Sequence, residues 1–177
     1  MDTPKPSFWS ILYRTILTHT VTFFATGILA SILFDYSNRM VRPDVAPIIR
    51  DLSDPILIAS PLFQPLRAAL LAVVFYLLRD VLFKNSRGWL ILWCTLVVLG
   101  ILAPFSASWG GFEGMIFFNL PIRDHLTGWP EVFAQTLFLS LILTYWLRHP
   151  RSKWLGIVMT VAFVLTPALP LLALVSR

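Results

Sequence analysis

Cysteine and charge are the scarce materials of this chain. A single cysteine, Cys94, occurs in 177 residues, so no intramolecular disulfide can form and no cysteine-based zinc site can be assembled. Charged residues make up 13% of the sequence, about half the ~25% usual for soluble domains. Signature loops are missing as well. No Walker A loop, His-Glu-x-x-His pair, Gly-x-Ser-x-Gly elbow or dinucleotide fingerprint can be found, which disfavours an ATPase, a soluble-cofactor dehydrogenase and a zinc protease of familiar type. Asn38, Asn85 and Asn119 are not followed by the pattern of a glycosylation acceptor, an absence compatible with a bacterial source.

What fills the space instead is apolar sequence. Hydrophobic residues account for 57% of the chain and mean hydropathy is +0.76. Five apolar runs, at residues 11–34, 65–83, 88–104, 130–147 and 154–175, approach or exceed the ~17 to 25 residues that cross a ~30 Å hydrocarbon core. The expected fold is therefore all-α, a polytopic membrane-embedded helical bundle of about five transmembrane helices, with residues 1–177 forming one domain. The first run is too long for the ~7 to 15 residue core of a cleavable signal peptide, and no small-x-small cleavage site follows it, so it reads as an uncleaved anchor.

Charge distribution gives an expected orientation. On the amino-terminal side fall eight cations, Lys5, Arg14, Arg79, Lys84, Arg87, Arg148, Arg151 and Lys153, and two acids, Asp2 and Asp80. The opposite side carries six cations, Arg39, Arg42, Arg50, Arg67, Arg123 and Arg177, against seven acids, Asp35, Asp44, Asp51, Asp54, Glu113, Asp124 and Glu131. Because basic residues flanking spans are retained in the cytoplasm, the amino terminus is expected to be cytoplasmic and Arg177 outside, in a bacterial inner membrane. The net charge of +5 is spread over short loops, so it marks orientation and not a nucleic-acid partner.

The two connections on the cytoplasmic side are short basic turns. The outer ones, residues 35–65 and 104–130, exceed the ~12 to 15 residues of a plain loop. Each contains an apolar stretch, at 55–63 and 114–121, too short to span and expected to lie buried against the bundle as an interfacial or re-entrant segment. Prolines mark helix starts at Pro61, Pro65 and Pro130, while Pro167 and Pro170 should kink the last span. Thr15, His19, Thr22 and Thr26 form one stripe on the first span, and Thr136, Ser140 and Thr144 another on the fourth. Such small and hydroxyl-bearing faces mark helix contacts inside a bilayer, and both are expected to look into the bundle.

Candidate chemistry collects around the second outer loop. Glu113, His125 and Glu131 could supply acid/base groups, with Arg67, Arg123 and Gln135 as substrate or anion contacts. The plainer reading of the same residues is that Glu131 complements the dipole of its helix, that Arg123 and Asp124 form a solvated pair, and that Arg39, Arg42, Arg50 and Arg67 snorkel to headgroups or pair with Asp44, Asp51 and Asp54. His19, the one histidine within a span, fits a structural hydrogen bond to another helix better than a haem ligand, since His149 is the only other histidine on its side. No cofactor or metal is expected. The absence of a complete catalytic motif favours a non-enzymatic accessory or complex subunit whose outer loops cap the bundle. The alternatives are a membrane-embedded enzyme or binding protein for a lipid-type substrate at the outer leaflet, using Glu113, His125 and Glu131, and a small solute carrier that needs partner subunits. Expected partners are membrane lipids and other membrane-protein subunits.

Overall fold

The computed structural model of the protein describes residues 6–50 and 53–175. Asp2, Lys5, Asp51 and Arg177 lie outside the described residues. Helices form the whole framework, and no strand occurs among the described residues. Helix α1 (Phe8–Leu33) opens with Ser7 as its cap, whose hydroxyl accepts the Ser10 amide at 3.2 Å, satisfying one of the donors that every helix start leaves unpaired. At ~1.5 Å per residue its 26 residues give a helix of about 39 Å.

Asp35 turns the chain out of α1 in a left-handed conformation, φ 49°. Its carboxylate accepts from Ser37 and Asn38 at 3.0 and 2.7 Å, the local bonding that lets Asp occupy this region. Short α2 (Tyr36–Met40) follows, then α3 (Pro55–Ile58), capped by the Asp54 carboxylate on the Ile56 amide, and a 3-10 turn (Ser60–Phe63) that runs into α4 (Gln64–Leu77). A break at Leu78 separates α4 from α5 (Arg79–Lys84). Next come α6 (Gly88–Val97), which ends in a π-helical segment (Val98–Leu102), α7 (Phe112–Phe117), α8 (Ile122–Leu126), α9 (Trp129–Arg148) and α10 (Lys153–Val175).

Four helical stretches are long and apolar enough to cross a membrane by length and composition: Phe8–Leu33, Ser60–Leu77, Ile122–Arg148 and Lys153–Leu172. The fifth predicted run is shorter, since the apolar helix covers Gly88–Leu102, about 22 Å of rise for its 15 residues. The predicted run at 65–83 is also redrawn. It gains a 3-10 turn in front and stops at Leu77, and Arg79–Lys84 forms a separate helix.

Helix α1 is the hub, packing against α4, α9 and α10, while α9 also packs against α6. Helices α4 and α6 are linked through α5 and do not pack along one another. The main core joins Ile11, Ala72, Phe75, Leu82, Phe83, Leu92, Leu139, Leu143 and Leu147, and a smaller one joins Leu17, Trp146, Leu155 and Met159. Both predicted polar stripes face inward, with Thr15, His19, Thr22, Thr26, Thr136, Ser140 and Thr144 all buried. Long apolar side chains such as Leu66, Leu70, Ile157, Val161 and Leu165 point outward.

The end of the bundle carrying the short connections, here the turn end, is tied by arginines. Arg148 donates to the carbonyls of Phe83, Asn85 and Ser86. Arg14 donates to the Trp146 carbonyl at 2.6 Å, its guanidinium 5.2 Å from the indole centroid. At the loop end, the apolar segments expected to be buried against the bundle are largely uncovered. α3 and the 3-10 turn touch α10, yet Ile56 and Phe63 are exposed, as are Ile116 and Phe117 of α7.

Candidate cavity at the loop end of the bundle

Two loops close over the bundle through one carboxylate. Asp124, 1% exposed at its side chain, accepts from Arg39 at 2.6 Å and from Arg42 at 3.0 and 3.2 Å. Arg42 also binds Asp44, and that bond holds the Asp44 carboxyl below the usual carboxylate range. Arg123, the sequence neighbour of Asp124, is 74% exposed and pairs with it only at 3.9 Å. The Arg123–Asp124 pair expected from sequence is thus long, and the carboxylate is not solvated but buried, held more closely by two guanidiniums from α2 and its following turn. A buried charge persists only when paired, and Arg39 and Arg42 meet that need.

Beside this clasp lies a cavity of about 200 Å³ bordered by Tyr36, Arg39, Met40, Val45, Ile49, Trp109, Asp124, Thr127 and Gly128. Trp109 donates its indole N–H to the Asp124 carbonyl, and Trp129 donates to the Gly110 carbonyl, both at 2.8 Å. These bonds fix the 104–128 loop over the helix ends.

A larger cavity of about 600 Å³ runs along the side of the bundle where α4 and α6 stay apart, with α1 and α9 behind it. Most of its wall is apolar, including Leu71, Phe75, Leu82, Leu92, Leu96 and Leu139. Arg67, His19, Gln135 and Glu131 also border it. Their depths follow from the cross-helix contacts. His19 meets Gln64 and Phe8 meets Tyr76, so α4 runs antiparallel to α1. Arg14 meets Trp146, and a Cβ on Gly27 would stand 3.7 Å from Glu131 Oε1, so α9 does too. Glu131 therefore lies nearest the loop end, Gln135 one turn deeper, and His19 and Arg67 near mid-bundle. The turn-end portion is purely apolar, lined by Val74, Leu78, Val81 and Leu82.

Glu131 is half-buried and its Oε2 accepts the Tyr36 hydroxyl at 2.6 Å. Burial first, and then the carboxylate it donates to, push the Tyr36 phenol above its ordinary range. His19 is buried, and its Nε2 lies 3.2 Å from Gln64 Oε1. Gln64 in turn donates through Nε2 to the Ser60 carbonyl at 3.3 Å, which orients the amide so that His19 Nε2–H is the donor. This is the interhelical bond that its position within a span suggested. Arg67 makes no ion pair or hydrogen bond among the described residues.

Of the residues singled out from sequence, Glu131, Gln135 and Arg67 share the large cavity. Glu113 is exposed on α7, and Arg123 is exposed on α8. His125 is buried elsewhere, its Nδ1 accepting the Gly110 amide at 3.4 Å, its ring tilted against Trp109. Glu113, His125 and Glu131 thus do not line one cavity. Tyr36 was not singled out from sequence, and Asp124 and His19 were weighed there only as the partner of Arg123 and as a helix–helix hydrogen bond. A Tyr one residue beyond the helix-ending Asp35 was the available signal for Tyr36. Among the described residues no cluster of three or more His, Cys, Asp or Glu side chains could hold a metal ion. No family model matches the chain, and no curated protein or solved structure matches it.

Proposed function

We propose that the protein is a membrane-embedded binding protein for a lipid-type amphiphile, held in the cavity between α4 and α6. The observation that carries this reading is the cavity itself. Its volume of about 600 Å³ falls in the ~300 to 1,000 Å³ range of small-molecule sites, its turn-end portion is apolar, and Arg67, His19, Gln135 and Glu131 border it from mid-bundle to the loop end. An amphiphile matches that gradient, with its chain along Phe75, Leu82 and Leu92 and its head toward Arg67 and Gln135. Arg67, a guanidinium without an ion-pair partner among the described residues, supplies the charge that an anionic headgroup would neutralise.

In this reading the chain crosses a bacterial inner membrane five times with its amino terminus in the cytoplasm. Gly88–Leu102 crosses as a short helix in a locally thinned bilayer, and the cavity opens to the outer leaflet. Lipid acyl chains would then cover Leu66, Leu70 and Leu99, which are exposed.

Purification in mild detergent followed by native mass spectrometry tests the proposal. A retained phospholipid or isoprenoid is expected, and it should be lost when Leu96→Trp fills the cavity or when Arg67→Gln removes the guanidinium. A chain that retains no lipid but co-purifies with a stoichiometric membrane protein would overturn this reading and restore the accessory-subunit one.

A further inference from the structure

The two cavities share one residue. Gly128 borders both the outer cavity of about 200 Å³ and the inner one of about 600 Å³. Its backbone is ordinary, φ −76° and ψ −13°, and a Cβ built on it would meet nothing within 4 Å. A side chain here would therefore project into open space and not into packed protein. Beside it, Tyr36 borders the outer cavity, Glu131 borders the inner one, and the Tyr36 hydroxyl bridges to Glu131 Oε2. The break between the cavities is thus a glycine with free space around it and one hydrogen bond.

We infer that the outer cavity is a vestibule through which a small water-soluble molecule, uncharged or cationic, reaches the headgroup end of the inner cavity, with Gly128 as the throat and Tyr36–Glu131 as its bolt. The charge class follows from the side chains along the way. Asp124 is matched by Arg39 and Arg42, whereas Glu131 has no cationic partner among the described residues and accepts from a neutral phenol. An anion passing the throat meets an unmatched carboxylate, and a cation or a hydrogen-bond donor meets an acceptor. Breaking the Tyr36 bond frees the Glu131 carboxylate to take that role. The inference rests on the amphiphile reading for its purpose, since it brings a second, water-borne ligand past Glu131 to a lipid headgroup held beside Arg67 and Gln135.

The experiment uses the full chain in lipid nanodiscs, with Cys94→Ser removing the native thiol and Gln135→Cys placing a reporter in the inner cavity. Trimethylammonium-ethyl and sulfonato-ethyl methanethiosulfonate serve as cationic and anionic water-soluble probes, and the modification rate is read by mass. The cationic probe should react about tenfold faster than the anionic one, the low end of what a focused charge does to an association rate. Gly128→Trp should slow the cationic probe by an order of magnitude or more, Gly128→Ala should leave it unchanged, and Tyr36→Phe should speed it. Gly128→Leu replaces the tryptophan variant if that chain does not elute as folded protein. Equal rates with and without the bulky residue would overturn the throat, as would an inert reporter. Because retained lipid is measured separately, an inert reporter in a lipid-bearing protein sinks only the vestibule, and a reactive reporter in a lipid-free protein sinks only the amphiphile reading.

Discussion

Arg39 and Asp124, 85 positions apart in the chain, meet at 2.6 Å with the carboxylate almost wholly buried. That contact joins the α1–α4 connection to the α6–α9 connection, and Arg42 adds a second link to the same carboxylate. Replacing Asp124 by Asn should lower stability by about 2 kcal/mol, the scale of hydrogen bonds to charged groups. Thermal unfolding in detergent is the measurement, and an unchanged midpoint would show that the clasp is ornamental.

The loop end has an acid limit. Arg42 holds the Asp44 carboxyl below its usual range, and Arg50 does so for Asp54. A carboxyl whose pKa is depressed on folding contributes stability above its unfolded value, ~3.9, and loses it as pH falls through the lower folded value. Proteolytic protection of residues 35–50 should thus be constant from neutral pH down to roughly pH 4 and fall below it. Loss of protection already near pH 6 would contradict these pairs.

Helix faces can be probed with three substitutions. Ser140 and Thr22 are buried, whereas Leu141 is 39% exposed. Thr22→Leu and Ser140→Leu overpack a helix contact and should each cost about 1 to 3 kcal/mol. Leu141→Ala should cost under about 0.5 kcal/mol, as surface changes do. Comparable detergent stability for all three would mean the faces are misassigned.

Glycine positions separate sharply. A Cβ on Gly88 would lie 1.7 Å from the Leu82 carbonyl oxygen, and one on Gly114 would lie 1.9 Å from that of Ser108, while Gly100 has nothing within 4 Å. Backbone cannot retreat as a side-chain tip can. Gly88→Ala and Gly114→Ala should sharply reduce the yield of folded monomer on size-exclusion chromatography, whereas Gly100→Ala should be neutral or stabilising by up to ~1 kcal/mol.

Orientation is checked with reporters. Fusions after Arg87 and after Lys153 should read cytoplasmic and one within residues 43–50 external, as the eight-to-two balance of cations over acids on the amino-terminal side implies. The reverse pattern at either pair of sites would overturn the five-crossing topology.

The helical framework was legible because long apolar runs and period-four hydroxyl stripes are local signals. Thr15, His19, Thr22 and Thr26 needed only their spacing to be placed on a buried face. The break at Leu78 was not read from sequence, because although Arg79 and Asp80 follow it directly, Val81, Leu82 and Phe83 resume the apolar run. The clasp was hidden for a different reason. Asp124 stands beside Arg123 in sequence, and nothing local shows that its side chain turns inward to arginines more than 80 positions away. Glu131, Gln135 and Arg67 were singled out one by one, but the cavity that they share depends on α4 and α6 standing apart, which is a property of packing and not of any motif.

That separation begins at a bend. Helix α5 follows α4 after the break at Leu78, the Leu82 amide still bonded to the Leu78 carbonyl, and packs on α6 and α9, whereas α4 packs chiefly on α1. The stretches on either side of Leu78 thus lean on different neighbours, and the gap opens above the bend. A change at that bend would alter the width of a doorway whose polar groups all lie elsewhere.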